Sequence, residues 1–129
     1  MSTPNVGDPA PPIVLEDQTG TTVDVAAAHA GRRVLVFFYP KANTPGCTTQ
    51  ACGLRDVADQ VGDTAIIGIS PDTPAKQASF DTKFSLGFTL LADVDHAVAE
   101  AYGVWVEKSM YGRKYMGVQR SAFLIDAAG

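Results

Sequence analysis

The 129 residues predict an α/β fold, a sandwich of helices on a mixed central sheet with a small β-hairpin at the amino end. Three observations carry that expectation. Val34-Leu35-Val36-Phe37-Phe38-Tyr39 is too short and too evenly apolar for a surface helix, which marks a strand buried on both faces. Ala65 to Ile69 repeats the signature. Between and after these runs lie segments with helix-start signals or apolar residues at helical spacing, and strands that alternate with helices build βαβ units.

Taken in order, Val6-Gly7-Asp8-Pro9-Ala10-Pro11-Pro12 is an extended, proline-rich lead-in. Ile13-Val14-Leu15 and Val23-Asp24-Val25 flank the turn cluster Asp17-Gln18-Thr19-Gly20, hence the hairpin. Cys47 to Val61 suits a helix, with Leu54, Val57, Ala58 and Val61 on one face. Asp72-Thr73-Pro74 offers a cap and then a proline suited to a first helical position, so a helix runs from there to about Phe84. Phe88 to Leu91 reads as a strand and His96 to Tyr102 as a short helix begun by Asp93 or Asp95. Ser121 to Ile125 is the last strand. There is no repeat, low-complexity stretch or linker, so residues 1–129 are expected to form a single domain.

Composition excludes several function classes. Ten Lys+Arg against fourteen Asp+Glu give a net charge of −4, and no basic cluster offers a track for phosphates, so nucleic acid is not an expected partner. Met1-Ser2-Thr3-Pro4-Asn5 lacks the basic and apolar regions of a signal peptide, and no apolar run approaches a membrane span. A soluble cytoplasmic protein is the expectation. In that reducing compartment two cysteines close in sequence, Cys47 and Cys52, point to catalysis, redox sensing or metal binding more than to a structural bridge. Zinc wants about four ligands. His29 and His96 stand apart from each other and from the cysteines, so both read as surface or helix-end residues and no metal is expected.

The chemistry is expected where the first buried strand ends, because open α/β folds place sites at strand carboxyl ends, often at a following helix amino terminus. Pro40-Lys41-Ala42-Asn43-Thr44-Pro45-Gly46-Cys47 occupies that place. Thr44 is a good N-cap, Pro45 a good first helical residue, and Gly46 permits close approach. Cys47 then falls in the first turn, where unpaired N–H groups and the helix dipole favour an anion and draw the thiol below its free value of about 8.5. The plainer alternative is a small apolar residue buried under the loop. Placement at a helix start favours the reactive reading.

Pro40-x-x-x-Thr44-x-x-Cys47 resembles the active-site signature of the peroxiredoxins, thiol peroxidases on a thioredoxin-like fold. The longer string Phe37-Phe38-Tyr39-Pro40-Lys41-Ala42, Thr44-Pro45-Gly46-Cys47-Thr48 and Gln50-Ala51-Cys52-Gly53-Leu54-Arg55-Asp56 is similar to the bacterioferritin comigratory protein (PrxQ) branch. So are Tyr102-Gly103-Val104, Glu107-Lys108, and Arg120-Ser121 with Phe123-Leu124-Ile125-Asp126. The resemblance covers nearly the whole chain. It implies that Cys47 is the peroxidatic cysteine, that Thr44 hydrogen-bonds thiolate and substrate, and that Pro40 shields the pocket. From the residues alone, Thr44 is only a cap, Pro40 only a strand end and Arg120 only a surface strand residue. The resemblance further implies that Arg120 sets a fixed cation beside the sulfur and that Cys52 is the resolving cysteine. The implied substrates are hydrogen peroxide and alkyl hydroperoxides, and the implied reductant is thioredoxin or a similar dithiol. No cofactor is implied, and a monomer is expected.

The spacing of the two cysteines adds a condition. On one regular helix, five residues separate Cα atoms by roughly 8.7 Å, whereas a disulfide tolerates about 7 Å. The implied bond therefore requires the helix start to unwind. Two other readings stand beside the peroxidase: a thiol–disulfide oxidoreductase, whose C-x-x-C is absent, and a redox sensor or holdase that uses Cys47 only as a switch. Finally, Ile125-Asp126-Ala127-Ala128-Gly129 runs a strand into a turn signal and stops. Members of the family continue into another strand and a helix, so the sequence is expected to represent a chain lacking that part, with one sheet face partly bare.

Overall fold

The structure, a computed structural model, describes residues 11–28, 33–40, 49–54, 65–110 and 112–125. The elements follow the expected order. β1 (Val14–Asp17) and β2 (Thr22–Asp24) form the hairpin, with Val14 opposite Asp24. The one-turn α1 (Val25–Ala28) follows, then β3 (Val34–Phe38), helical residues 49–54 (α2) and β4 (Ala65–Ser70). After α3 (Pro74–Phe84) come β5 (Thr89–Ala92), α4 (Ala97–Ala101), β6 (Trp105–Met110), β7 (Arg113–Val118) and β8 (Ser121–Ile125). Six strands make one sheet in the order β2-β1-β5-β4-β3-β8. β3, β4 and β5 are parallel, whereas β8 on β3 and β1 on β5 are antiparallel, so the sheet is mixed.

The uniform apolarity of β3 has a simple cause. Val34, Val36 and Phe38 bury into a cluster with Ile67, Ile69, Leu91, Val98 and Tyr102 on one face. Phe37 and Tyr39 bury into a second cluster with Ala51, Ile66, Phe80 and Leu90 on the other. Successive strand residues point to opposite faces, so a strand covered on both sides has no polar positions. Gly68 of β4 lies opposite Phe37, and a Cβ there would stand 2.7 Å from Phe37 Cζ and 2.9 Å from Leu90 Cδ2. The missing side chain makes room for the Phe37 ring.

Several boundaries and two elements differ from expectation. The hairpin strands run Val14–Asp17 and Thr22–Asp24 rather than Ile13–Leu15 and Val23–Val25, and Val25 instead opens α1, which was not among the expected elements. The strand expected at Phe88–Leu91 runs from Thr89 to Ala92, since Gly87 is left-handed (φ 74°) and the Phe88 carbonyl accepts from Gln18 Nε2 at 3.0 Å. β4 extends one residue, to Ser70. The β6–β7 hairpin, paired from Trp105 opposite Val118, was not among the expected elements. Of the helix expected over Cys47 to Val61, residues 49–54 are helical and the remainder lies outside the described residues, as does His29. His96 does stand at a helix end, at the N-cap of α4. Among the described residues no helix is long and apolar enough to cross a membrane.

Candidate active site

The carboxyl end of β3 is where Pro40, Arg120 and Cys52, three of the five expected site residues, are found. Tyr39 donates its backbone N–H to Ile69 O at 3.0 Å, extending the β3–β4 ladder by one bond. Pro40 has no N–H to continue it, so the chain leaves the sheet there, with Pro40 half-buried. Because β8 runs antiparallel to β3 with Ser121 opposite Phe38, Arg120 arrives at the same end of the sheet. Its approach is fixed from behind: Gln119 N–H donates to Val104 O at 2.7 Å, tying the segment between β7 and β8 to the residue just before β6.

Arg120 is exposed along its length and reaches across to α2, where its Nη1 donates to Gln50 Oε1 at 2.9 Å. One hydrogen bond thus brings together residues 70 positions apart, from the sheet and from the first described turn of the helix. Cys52 lies on the same helix. It is a free thiol, half-buried, and packs with Leu54 against the cluster of Phe37, Tyr39, Ala51 and Phe80. Ala51 beside it is fully buried, so α2 is seated on the sheet through its Ala51–Cys52–Leu54 side. Of the five expected site residues, Pro40, Arg120 and Cys52 are therefore located around one sheet end. Cys47 and Thr44 lie outside the described residues.

Beneath this end runs a polar network that the sequence reading missed. Gln77 of α3 is fully buried and uses both ends of its amide. Its Oε1 accepts from the Tyr39 hydroxyl, and its Nε2 donates to Ser70 Oγ at 2.9 Å and to Leu91 O at 2.8 Å. Ser70 Oγ in turn donates to Asp72 Oδ2 at 2.7 Å. A signal was present: Gln77 stands three residues before the buried Phe80, so it is a polar residue on the apolar face of its helix. Gln50 carried no such mark, because its partner comes from the far end of the chain.

Comparison with known proteins places the chain in a family and a fold. The family model described as the AhpC/TSA family matches residues 6–129. Peroxiredoxin Bcp of Escherichia coli (strain K12) is 51% identical over 131 residues, covering 100% of this chain and 83% of that protein. A structure of the Xanthomonas campestris bacterioferritin comigratory protein, described through its alkyl peroxide reduction activity, superposes with a TM-score of 0.83 at 34% identity, covering 91% of this chain and 75% of its own. Peroxidoxin BcpB from Mycobacterium tuberculosis superposes with a TM-score of 0.82 at 37% identity, covering 94% and 78%. These neighbours make the fold thioredoxin-like.

Proposed function

Because the chain belongs to the AhpC/TSA family, in the bacterioferritin comigratory (PrxQ) branch of the peroxiredoxins, and so is a thiol peroxidase, we propose the following cycle for it. The Cys47 thiolate attacks the terminal oxygen of hydrogen peroxide or an organic hydroperoxide. The O–O bond breaks, the leaving oxygen takes a proton and departs as water or alcohol, and Cys47 becomes a sulfenic acid. The Cys52 thiolate then attacks that sulfur, the S–O bond breaks, and the displaced hydroxide takes a proton and leaves as water, giving an intramolecular disulfide. Thioredoxin, or a similar dithiol, reduces the disulfide by exchange and restores both thiols. Thr44 orients thiolate and peroxide, Pro40 shields the pocket, and Arg120 stabilises the negative charge on sulfur and oxygen. The monomer is the working unit, in the cytoplasm, where free paired thiols serve catalysis.

The observation that carries this reading is the Arg120–Gln50 hydrogen bond at 2.9 Å, which sets a permanent cation against the helix that follows the Pro40-x-x-x-Thr44-x-x-Cys47 segment. The extension to organic hydroperoxides is supported by the activity for which the Xanthomonas campestris relative is described. Peroxide consumption coupled to thioredoxin, thioredoxin reductase and NADPH tests the cycle. Wild type should turn over, Cys47→Ser should be inactive while remaining folded, and Cys52→Ser should consume one equivalent of peroxide and then stall. Steady turnover by Cys47→Ser would sink the mechanism. Undiminished turnover by Cys52→Ser would reassign resolution to another thiol.

A further inference from the structure

We propose that Tyr39 and Gln77 form a positioning pair for the peroxidatic segment, fixing the point and direction at which the chain leaves β3. The inference rests on the reading of Cys47 given above. Its starting point is a cost. A fully buried amide is tolerated only when its groups are bonded, and an apolar residue of similar shape would fill the same space without that demand. Gln77 is 0% exposed and meets the demand with three partners on three strands or strand ends: Tyr39 after β3, Ser70 at the end of β4 and Leu91 in β5. One side chain of α3 thus ties together the carboxyl ends of the three parallel strands, at the end of the sheet where the site lies.

The coupling to the site runs through Tyr39. Its backbone N–H is held by Ile69 O at 3.0 Å and its hydroxyl by Gln77, while its ring stacks on Phe37 with centroids 5.4 Å apart. The next residue is Pro40, whose ring fixes φ near −65° and also restricts the backbone of Tyr39. Past an anchored Tyr39, the ψ of Pro40 is then the first soft backbone torsion. An orientation set in the buried network is therefore passed to the start of the segment that leads to Cys47. Peroxide attack requires sulfur, oxygen and leaving group in line, and a displacement of about 1 Å can cost about a hundredfold in rate. Alkylation of the same thiolate by a small reagent in open solution makes no comparable demand on the pocket.

The test separates positioning from stability. The second-order rate constant for hydrogen peroxide and the pH profile of Cys47 alkylation by iodoacetamide, read by mass spectrometry of the Cys47 peptide, are measured for wild type, Tyr39→Phe, Gln77→Leu and the double variant. Val98→Ala, in the cluster on the opposite sheet face, serves as a control for lost stability. Tyr39→Phe is expected to slow the peroxide reaction about tenfold with the alkylation profile unchanged. The double variant should be no slower than the slower single one, since both break the same link. Val98→Ala should keep the wild-type peroxide rate within about twofold despite a lower melting temperature. A peroxide rate for Tyr39→Phe within twofold of wild type overturns the inference, as does an equal loss in Val98→Ala. Wild type that fails to react with peroxide at Cys47 overturns the site reading itself, and this inference with it.

Discussion

Among the described residues of α2, the partner of Arg120 is an amide, and for a residue proposed to stabilise an anion that chemistry matters. Gln50 Oε1 accepts one guanidinium N–H at 2.9 Å and so directs the group without bringing a negative charge to it. A glutamate at the same place would hold the arginine more firmly and offset part of its field. Replacing Arg120 by methionine keeps much of the side chain's length and removes the cation. The reaction with peroxide should then slow by about tenfold or more. The midpoint of Cys47 alkylation should move to higher pH, because a nearby positive charge favours the thiolate. Measuring alkylation rate against pH in the two proteins decides it, and superimposed profiles would return Arg120 to a surface role. The outcome differs in kind from that expected of Tyr39→Phe, which should lower the peroxide rate and leave the profile in place. Charge and position are thereby assigned to separate residues.

At the scale of elements, α4 has five residues and is held at its start by a carboxylate from outside it. Asp93, 1% exposed, accepts from Val98 N–H at 3.2 Å and Ala99 N–H at 2.8 Å. His96, in the N-cap position with φ 53°, contributes no side-chain cap and lies flat against Trp105, ring centroids 3.9 Å apart. Burial raises the Asp93 carboxyl above its ordinary value of 3.8; the bonds from Ala99 and Val98 and the attraction of His96 pull the other way, while Asp95 adds to the rise. A carboxyl raised by folding binds its proton more tightly in the folded state, so its contribution is fully present below 3.8 and is lost as pH climbs through the raised value. Urea unfolding of wild type and Asp93→Asn between pH 7 and pH 4 should therefore show wild type gaining on the variant as pH falls. The reverse trend would mean that the cap bonds outweigh burial. Asp93 was legible in the sequence as one of two candidate helix starters, and Thr73 likewise: its Oγ1 accepts from Lys76 N–H at 3.3 Å, with Pro74 opening α3. Such signals are local, spanning no more than seven residues from Asp93 to Ala99, and so they survive without knowledge of the fold. The β6–β7 hairpin did not announce itself because it stands apart from the main sheet, with the five residues from Gly112 to Met116 all exposed. Burial is confined to its base, where Val118 and Trp105 meet the core, so there is no sustained alternation to read. Its one local mark was Gly112, left-handed at φ 79° in the turn.

Across the whole molecule, the two sheet faces have unequal parts to play when the protein is oxidised. One face carries Val36, Phe38, Ile67, Tyr102 and Val104 in a cluster that does not include Cys52. The Tyr102 hydroxyl donates to Pro11 O at 2.8 Å, and burial pushes its pKa up to about 12. The other face seats α2 through Ala51, Cys52 and Leu54 against Phe37, Tyr39 and Phe80. A Cys47–Cys52 disulfide needs Cα atoms within about 7 Å, and one regular helix would hold them roughly 8.7 Å apart with their side chains rotated by roughly 140°. In the proposed cycle, forming that bond from one continuous helix would therefore require the start of the helix to unwind. The sheet need not follow, because β3 is held by five registered pairs to β4 and five to β8, none involving α2. We expect a local opening of low free energy and not a global one. Hydrogen exchange of the reduced and disulfide forms should show amides of residues 49–54 exchanging faster after oxidation, while those of β3 and β4 keep their protection. Faster exchange throughout β3 and β4 would mean that the whole fold bears the cost of resolution, and unchanged protection over residues 49–54 would mean that the disulfide forms without leaving the helix.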